Sequence, residues 1–542
     1  MENRRKIIVA GAGAAGLTAA IFAARQGAEV TILEAMERPA KKLLLTGNGR
    51  CNITNLDEHL PEAYYGSGRE IAAALTRSFG AREMCDFLEE LGLLIQEKNG
   101  CVYPYTGQSS SVLEVLLAEV RRLKIKLKLS EKIVRITENP AAHTSDKAVS
   151  ANSENISLRR DTTDSLQLKK KNHGLLQKKH NAAMDAAFYA WTVETATWQY
   201  HADAVIITCG SKCVPSTGSD GSGYDLAKAL GHTIVPVAPA LTPVICQYED
   251  LQALAGVRCR AKVSLYKCIN SRQKTSAASH NKSNANSVKA VTNLGAKDEK
   301  VSLAAGNEIQ LLASETGELQ WTKYGVSGIV VFQLSRFVSN HRSKEPLYFS
   351  IDLLPDFEEE QIKGLLRNRA EQIRNEKAAT LLSGFLNDRM IPVILKEADH
   401  YLAERSAAKG ASASAARISA KNEAKSSTHH VVQNACQQKK LRSLTKYTCA
   451  ELELGQLDAL VYVMKHLELP INGTKSFDTC QVCSGGIDCR ELNPDTLESK
   501  LHPGLYFAGE IVDVDGPCGG YNLQWAWSSA YAAGCAAATP DR

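Results

Sequence analysis

A glycine-rich turn between two short apolar segments near the N-terminus is the feature that most constrains this fold. Lys6–Ala10 and Glu29–Leu33 predict buried parallel strands. Between them, Gly11-Ala12-Gly13-Ala14-Ala15-Gly16 matches the pattern G-x-G-x-x-G and leads into the helix-favouring stretch Leu17–Gln26. Glu34 directly follows the second strand. This complete strand–turn–helix–strand unit predicts a Rossmann-like α/β core with a parallel sheet.

Each part of the unit has a chemical reason to bind a dinucleotide. Gly11 permits a tight turn, Gly13 lets the backbone approach a pyrophosphate, and Gly16 lets the helix pack closely on the strand. The helix N-terminus attracts phosphate, and Glu34 accepts hydrogen bonds from a ribose diol. A glycine-rich turn without a ligand is the alternative, and the motif alone does not separate FAD from NAD. The predicted contacts here are Gly11, Gly13, Ala14, Ala15, Gly16 and Glu34.

A second glycine-rich segment, residues 41–55, follows this unit. It reads Lys-Lys-Leu-Leu-Leu-Thr-Gly-Asn-Gly-Arg-Cys-Asn-Ile-Thr-Asn. Together with the first motif it resembles the BaiN/YhiN-type flavoproteins, which carry GAGAAGL…E…GxKLLxTGxGRCNxTN. The resemblance implies bound FAD, with contacts from Lys42, Gly47, Gly49, Arg50, Cys51 and Asn52.

The last fifty residues give the second strongest match to that family. Leu505–Glu510 reads as a strand that ends in glycine and an acid, and Gly519–Trp527 opens an alanine-rich helix. In the family both return to the flavin. The turn at Gly210 departs from the family pattern, because Thr208-Cys209-Gly210-Ser211 lacks one glycine. The resemblance adds the contacts Val134, Gly210, Gly509, Glu510, Asp513, Gly520, Asn522 and Leu523.

Three segments, 139–185, 270–306 and 405–440, differ in composition from the rest. They are rich in Ser, Asn, Ala, Lys and Gln, and they carry formal charges of +3, +4 and +6. We predict that they are disordered basic inserts, since they bury too little apolar surface to offset their ordering entropy. The whole chain carries only +5, so its remainder is acidic, which argues against a dedicated nucleic-acid binder.

Outside these inserts the resemblance covers about 420 residues and implies a divided domain organisation. We expect the FAD-binding domain to comprise 1–138, 186–240 and 471–542. We expect a β-barrel-like inserted domain at 241–355 and a small helical domain at 356–470.

The cysteine content and the hydropathy pattern limit the cellular setting. No apolar run approaches the roughly 18 residues of a membrane-spanning helix. The chain has 15 cysteines and no signal-peptide pattern, so we expect reduced thiols and a cytoplasmic location. Cys480-Gln481-Val482-Cys483 is a C-x-x-C motif, but it matches a family strand with Ala and Thr at those positions. Because residues three apart in a strand point to opposite faces, we predict neither a metal nor a disulfide there.

The resemblance also implies a reaction. Among family members of known activity, one reduces conjugated C=C bonds of 3-oxo (3-dehydro) bile-acid intermediates during 7-dehydroxylation. The chain is therefore expected to be an FAD-dependent, NAD(P)H-driven reductase of a steroid-like small molecule. NAD(P)H is expected to visit transiently, because no second complete G-x-G-x-x-G is present. The catalytic residues remain unassigned, with Tyr103, Tyr324 and Tyr521 as possible proton donors.

Two other functions stay open at this point. One is a flavin oxidase that acts on a small amine or aminoketone. The other is a flavin-containing, RNA-associated protein without catalysis that uses the basic inserts. The sequence leaves open the exact substrate, the choice between NADH and NADPH, and the oligomeric state.

Overall fold

A computed structural model describes residues 4–139, 189–269, 308–343, 345–423 and 442–539. The inserts predicted at 139–185 and 270–306 lie outside the described residues, except for Asn139. Within those described ranges, no helix combines the length and the apolar character needed to cross a bilayer.

The strands and helices of the described residues are numbered in chain order. The strands are β1 (Lys6–Ala10), β2 (Glu29–Leu33), β3 (Thr54–Asn55), β4 (Ile95–Lys98), β5 (Cys101–Pro104), β6 (Lys126–Lys128), β7 (Ile133–Glu138), β8 (Trp191–Thr195), β9 (Gln199–Ala202), β10 (Ala204–Ile207), β11 (Ile234–Ala240), β12 (Val244–Cys246), β13 (Arg258–Ile269), β14 (Glu308–Thr322), β15 (Gly325–Ser327), β16 (Leu347–Asp352), β17 (Leu467–Thr474), β18 (Val482–Ile487) and β19 (Leu505–Phe507). The α-helices are α1 (Ala14–Arg25), α2 (Lys41–Leu45), α3 (Arg69–Ser78), α4 (Ala81–Glu90), α5 (Ser109–Arg122), α6 (Ser222–Ala229), α7 (Leu251–Leu254), α8 (Ile329–Ser339), α9 (Glu359–Gln372), α10 (Ala378–Leu381), α11 (Ile391–Glu423), α12 (Leu454–Lys465) and α13 (Tyr521–Ala538).

Two compact units make up the chain, and the first comprises residues 1–241 and 476–542. Its centre is a five-stranded sheet in the order β19-β10-β1-β2-β6, in which every pair is parallel. The sheet confirms the predicted Rossmann-like core, and β1 and β2 have the predicted bounds. Alternate residues of β1 pack into different cores, Ile7 and Val9 on one face and Ile8 and Ala10 on the other. The sheet is therefore buried on both faces, which explains the continuous apolar runs.

Helices α1 and α13 cross closely on one face of this sheet. A Cβ atom at Gly534 would lie 2.5 Å from the carbonyl oxygen of Ala19, so only glycine fits at the crossing. On the other face, β7, β8 and β9 form an antiparallel sheet whose Trp191 side chain is fully buried. The N-terminal and C-terminal segments of the chain thus share one core.

The second unit comprises residues 242–475. Six strands close into a barrel in the order β12-β15-β14-β13-β16-β17, and antiparallel pairing of β12 with β17 closes it. Barrel residues such as Phe349 and helical residues such as Leu460 belong to one hydrophobic core. The sequence-based boundary between a barrel-like and a helical domain at residue 355 therefore crosses a single core. The second unit ends at Lys475 rather than at the predicted residue 470, because the barrel strand β17 continues to Thr474.

One predicted insert begins inside a regular helix. Helix α11 runs from Ile391 to Glu423, so residues 405–423 are helical rather than disordered. This part of the chain is rich in alanine, which has the highest intrinsic helix propensity. The remainder of that insert, 424–440, lies outside the described residues.

A buried histidine supports the strand that leads to the pocket described below. The side chain of His232 packs against Phe507 of β19 with ring centroids 4.8 Å apart. Its Nδ1 atom lies 2.9 Å from Oε2 of Glu491, and its Nε2 atom lies 2.9 Å from Oγ of Ser499. Burial lowers the pKa of His232, although Glu491 partly offsets this effect.

We expect this histidine to make the first unit sensitive to acid. Because the pKa is lower in the folded state, protonation favours the unfolded chain as the pH falls below the ordinary value of 6.5. Each unit of pKa difference corresponds to about 1.4 kcal/mol. The measurement is the melting temperature between about pH 7.5 and pH 5. His232→Gln should flatten the acid-side loss, whereas the control His59→Gln, at an exposed side chain, should not. Equal slopes in the wild type and His232→Gln would contradict the prediction.

Candidate dinucleotide-binding site

A cavity of the first unit lies at the carboxyl ends of its parallel strands. Gly11 follows β1, Glu34 follows β2, Thr208 follows β10 and Gly509 lies just after β19, and all four line this cavity. Ligands of open α/β sheets bind at this edge, where the crossover connections diverge from the first strand. The topology therefore places the N-terminal motif where a dinucleotide binds.

The glycines of the motif play different roles. At Gly16 a Cβ atom would lie 1.9 Å from the carbonyl oxygen of Gly11 and 2.7 Å from Oγ1 of Thr208. Gly16 therefore permits close packing and does not line the cavity. A Cβ at Gly13 would meet no atom within 4 Å, and Gly13 lines the cavity. Gly11 has a φ of +103°, a left-handed conformation that favours glycine.

The N-terminus of α1 is open toward the cavity. Gly13 is its N-cap residue and supplies no side-chain cap, and the first turn holds no acidic residue. Ala14 and Ala15 line the cavity beside it. The unpaired N–H groups and the positive end of the helix dipole therefore favour an anion at this point.

Glu34 holds the glycine-rich turn and also faces the cavity. Its Oε2 accepts a hydrogen bond from the Ala12 N–H at 2.7 Å, and its Oε1 accepts one from the Met36 N–H at 2.9 Å. The residue is 8 % exposed. Burial raises the pKa of Glu34 above its ordinary value, although these two backbone donors and the charge of Lys41 oppose the shift. A ribose diol could donate further hydrogen bonds to this carboxylate.

An ion pair lies in the cavity wall. Nζ of Lys42 contacts Oε2 of Glu510, and both residues line the cavity. The other oxygen of Glu510 accepts a hydrogen bond from the Cys483 N–H at 3.1 Å. Burial lowers the pKa of Lys42, but the adjacent Glu510 carboxylate more than offsets this and the net shift is upward. Lys42 is therefore a fixed cation at neutral pH.

The segment 46–52 has an unusual backbone. Gly47, Asn48, Gly49 and Cys51 all have φ between +56° and +83°. The Cys51 side chain is fully buried, and burial raises the pKa of its thiol to about 12. Such left-handed conformations in non-glycine residues cost energy and concentrate at functional sites.

Asn52, next in the chain, has an unsatisfied group. Its Oδ1 is buried and accepts no hydrogen bond from any described residue. A Cβ atom at Gly520, the N-cap of α13, would lie 3.0 Å from this oxygen. Asn52 does not line the cavity, so this oxygen is not a direct contact of a ligand held there.

The predicted contacts thus divide into two groups. Those that line the cavity are Gly11, Gly13, Ala14, Ala15, Glu34, Lys42, Gly210, Gly509, Glu510, Asn522 and Leu523. Those that do not are Gly16, Gly47, Gly49, Arg50, Cys51, Asn52, Val134, Asp513 and Gly520. The candidate proton donors Tyr103 and Tyr521 also lie outside the lining, and Tyr521 donates its hydroxyl hydrogen to Asp57 at 2.7 Å. The third candidate, Tyr324, belongs to the second unit.

Two residues that were predicted to contact the cofactor, Val134 and Asp513, have other surroundings in the structure. The Val134 side chain is 58 % exposed, and its neighbour Ile133 lines the cavity instead, because successive residues of β7 face opposite sides. The Asp513 carboxylate accepts a hydrogen bond from the Ser67 N–H at 2.8 Å and is buried. Asp513 therefore anchors a neighbouring loop.

Sequence reasoning missed several lining residues. Gln481 and Val482 line the cavity beside the Lys42–Glu510 pair, and Trp525 and Ala526 add an apolar wall from α13. The apolar strand pattern around Gln481 and Val482 gave no signal of a site, whereas Trp525 belongs to the segment Gly519–Trp527, which the family resemblance had placed near the flavin. Among the described ranges, no group of three or more His, Cys, Asp or Glu residues is arranged to hold a metal ion.

Comparison with known proteins extends over nearly the whole chain. The family model described as "HI0933-like protein Rossmann domain" matches residues 5–160 and 164–536. The 3-dehydro-bile acid delta(4,6)-reductase of Clostridium scindens is 32 % identical over 537 residues, covering 98 % of this chain and 99 % of the relative. The ribosomal RNA dihydrouridine synthase of Escherichia coli is 22 % identical, covering 98 % of this chain and 97 % of the relative.

Among solved structures, a 3-ketosteroid-delta4-(5alpha)-dehydrogenase from Rhodococcus jostii aligns with a TM-score of 0.40 at 11 % identity. That alignment covers 99 % of this chain and 97 % of the other. The family model and the bacterial relatives span both compact units. The chain belongs to the HI0933-like Rossmann domain family.

Proposed function

We propose that this chain binds FAD and reduces a carbon–carbon double bond conjugated with a carbonyl group. The observation that carries the proposal is the end-to-end identity of 32 % to a delta(4,6)-reductase. The dinucleotide cradle at the sheet edge supports it independently. NAD(P)H is the proposed hydride donor and visits transiently, and a 3-oxo steroid of the bile-acid class is the proposed substrate.

The cavity residues fit FAD. The open N-terminus of α1 would hold the pyrophosphate, and Glu34 would accept hydrogen bonds from the adenosine ribose. When bound, FAD accepts hydride from a nicotinamide and passes it to an electron-poor alkene.

The residues of the chain have three tasks in such a reaction. The apolar wall from Trp525 and Ala526 would shield the reacting groups from water. Lys42 holds a positive charge in the cavity wall, which would stabilise negative charge developing nearby. Glu510 keeps that ammonium in place through the ion pair.

A second candidate substrate is a uridine of ribosomal RNA. Two relatives named ribosomal RNA dihydrouridine synthase, from Escherichia coli and Haemophilus influenzae, match 98 % of this chain at 22 % and 24 % identity. The 5,6 double bond of uracil is also conjugated with a carbonyl group, so the chemistry would be the same. The basic segments of this chain could contact phosphates.

Anaerobic turnover with each substrate separates these candidates. The purified yellow protein is reduced with NADH or NADPH, and then receives a 3-oxo-4,6-diene steroid or a ribosomal RNA transcript without oxygen. Return of the flavin absorbance in step with loss of the dienone absorbance would support the steroid. Uridine that becomes heavier by two hydrogens would support RNA. Flavin that recovers only in air would overturn both and favour an oxidase.

A shortened variant provides the matched control. In the structure Ile269 of β13 pairs with Glu308 of β14, and Glu138 of β7 pairs with Trp191 of β8. Both intervening basic segments can therefore be replaced by two-residue hairpin turns. Steroid turnover should survive this replacement, whereas RNA turnover should fall.

A further inference from the structure

An ion pair joins two segments of the cavity wall near Glu34. Nζ of Lys132 lies 2.8 Å from Oδ2 of Asp220. Lys132 belongs to the connection between β6 and β7 and lines the cavity, and Asp220 belongs to the loop between β10 and α6. Ser219 and Ser222, on either side of Asp220 in the chain, line the cavity as well. The ion pair therefore links two wall segments across 88 positions of the chain.

Both segments also contact the residues that follow β2. The Glu131 N–H donates to the backbone oxygen of Glu34 at 2.8 Å, and the Ser130 N–H donates to that of Met36 at 3.0 Å. In the other segment, a Cβ atom at Gly218 would lie 2.8 Å from Cγ of Met36 and 3.6 Å from Oε1 of Glu34. The ion pair therefore closes a ring of contacts that runs through Glu34.

The carboxylate of Asp220 is held in place for this contact. Its Oδ1 accepts a hydrogen bond from the Ser222 N–H at 2.9 Å. The Gly221 N–H and the Ser219 hydroxyl both donate to the backbone oxygen of Ser211 at 3.1 Å, which ties down the loop on both sides of Asp220. Burial raises the pKa of Asp220, but its hydrogen-bond donors outweigh this effect and lower the pKa to about 2. Asp220 is therefore a fixed anion at neutral pH.

Lys132 is the movable partner of this pair. Its side chain is 54 % exposed, whereas that of Asp220 is 35 % exposed. The ammonium group of a lysine sits on a flexible four-carbon stem, so it can swing away from the carboxylate without a change in the backbone. An exposed ion pair is only weakly stabilising, and it opens readily. The pair therefore suits a contact that opens and closes.

We propose that Lys132 and Asp220 form a latch that slows the passage of a dinucleotide into and out of the cavity. The latch rests on the proposed function, in which FAD occupies the cavity and Glu34 accepts hydrogen bonds from the adenosine ribose. While the pair is closed, the two wall segments stay joined beside the ribose position. Because the pair needs no ligand atom, it forms equally in the empty and the loaded cavity. It therefore slows entry and exit by the same factor and leaves the Kd unchanged.

The rates of FAD entry and exit test the latch. Exit is followed as the rise in flavin fluorescence when the holoprotein is diluted. Entry is followed as the quenching of that fluorescence when FAD is mixed with protein from which it has been removed. Lys132→Met and Asp220→Asn should each accelerate both rates about twofold to fivefold, the range that one exposed ion pair supports. The difference from the wild type should shrink as NaCl is raised to about 1 M, because salt screens the pair.

Lys126→Met is the matched control. Lys126 of β6 forms an exposed ion pair with Glu29 of β2, and neither residue lines the cavity. This variant should leave both rates of FAD passage as they are in the wild type.

Two results would overturn the latch. One is an unchanged exit rate in both Lys132→Met and Asp220→Asn. The other is a weaker Kd for FAD in Lys132→Met alone, which would make Lys132 a direct contact of the ligand. The proposed function fails on a different observation. A protein that shows the expected rates but reduces neither the steroid nor the RNA keeps the latch and loses the reductase assignment, whereas a protein that binds no FAD loses both.

Discussion

Replacing Gly16 with alanine should destabilise the first unit by about 3 kcal/mol, which corresponds to a fall in melting temperature of roughly 6–12 °C. Alanine at a helical position would ordinarily stabilise by about 1 kcal/mol. Here the added Cβ would lie 1.9 Å from the Gly11 carbonyl oxygen and 2.7 Å from Oγ1 of Thr208. Both neighbours are held by the central sheet, so the backbone cannot yield cheaply.

The matched variant is Gly13→Ala. Its Cβ would meet no atom of the chain, and its φ of −77° suits any residue. We expect its melting temperature without cofactor to match the wild type, while its affinity for FAD falls because the methyl group projects into the cavity. Thermal unfolding and flavin titration of both variants measure the difference. Equal stability of Gly16→Ala and the wild type would show that close packing is not the role of Gly16.

Replacing Lys42 with methionine should cost the folded protein about 2 kcal/mol, because it leaves the half-buried Glu510 carboxylate without its cation. The remaining partner of that carboxylate is the Cys483 N–H. The pKa of Lys42 is raised above its ordinary value of 10.5. The stabilisation by the Lys42–Glu510 ion pair is therefore fully present at neutral pH and is lost only as the pH rises beyond 10.5.

A double-mutant cycle isolates the interaction free energy between Lys42 and Glu510. Glu510→Gln alone leaves a half-buried ammonium without its carboxylate, whereas Lys42→Met with Glu510→Gln removes both charges and should regain more than half of the lost stability. Urea unfolding measures the free energies. If the double variant is as unstable as the sum of the single ones, the two residues act independently and the ion pair contributes nothing. FAD retention by the double variant then reports the role of the charges in binding.

Part of the site could be predicted because it is local. The residues from Lys6 to Glu34 form one continuous strand–helix–strand unit. In such a unit the apolar runs, the glycines and the acid occur at fixed spacing, so the sequence alone reveals it. The structure gives β1 and β2 the predicted bounds and brings Gly11, Gly13 and Glu34 into one cavity. The sequence was less informative about which residue of the less regular strand β7 faces the cavity. It predicted Val134, whereas Ile133 lines the cavity. A shift of one residue changes the face of the sheet.

Other features depend on partners far away in the chain. Lys42 pairs with Glu510, 468 positions away, and Cys213 contacts Cys480, 267 positions away. The sequence marked Asp513 as a cofactor contact, but Ser67 on another loop engages its carboxylate. No local pattern encodes such pairs.

The sequence by itself determined the parallel core and the dinucleotide cradle, because turn chemistry and hydrophobic period act within about thirty residues. Only the tertiary structure decided which late residues meet this cradle. Strand β19 pairs with β10 in the parallel sheet, with Val205 opposite Leu505, and so carries Gly509 and Glu510 to the cavity that the N-terminal motif lines. Pairing between strands that are so far apart in the chain depends on the whole folded sheet, and no local pattern of residues expresses it.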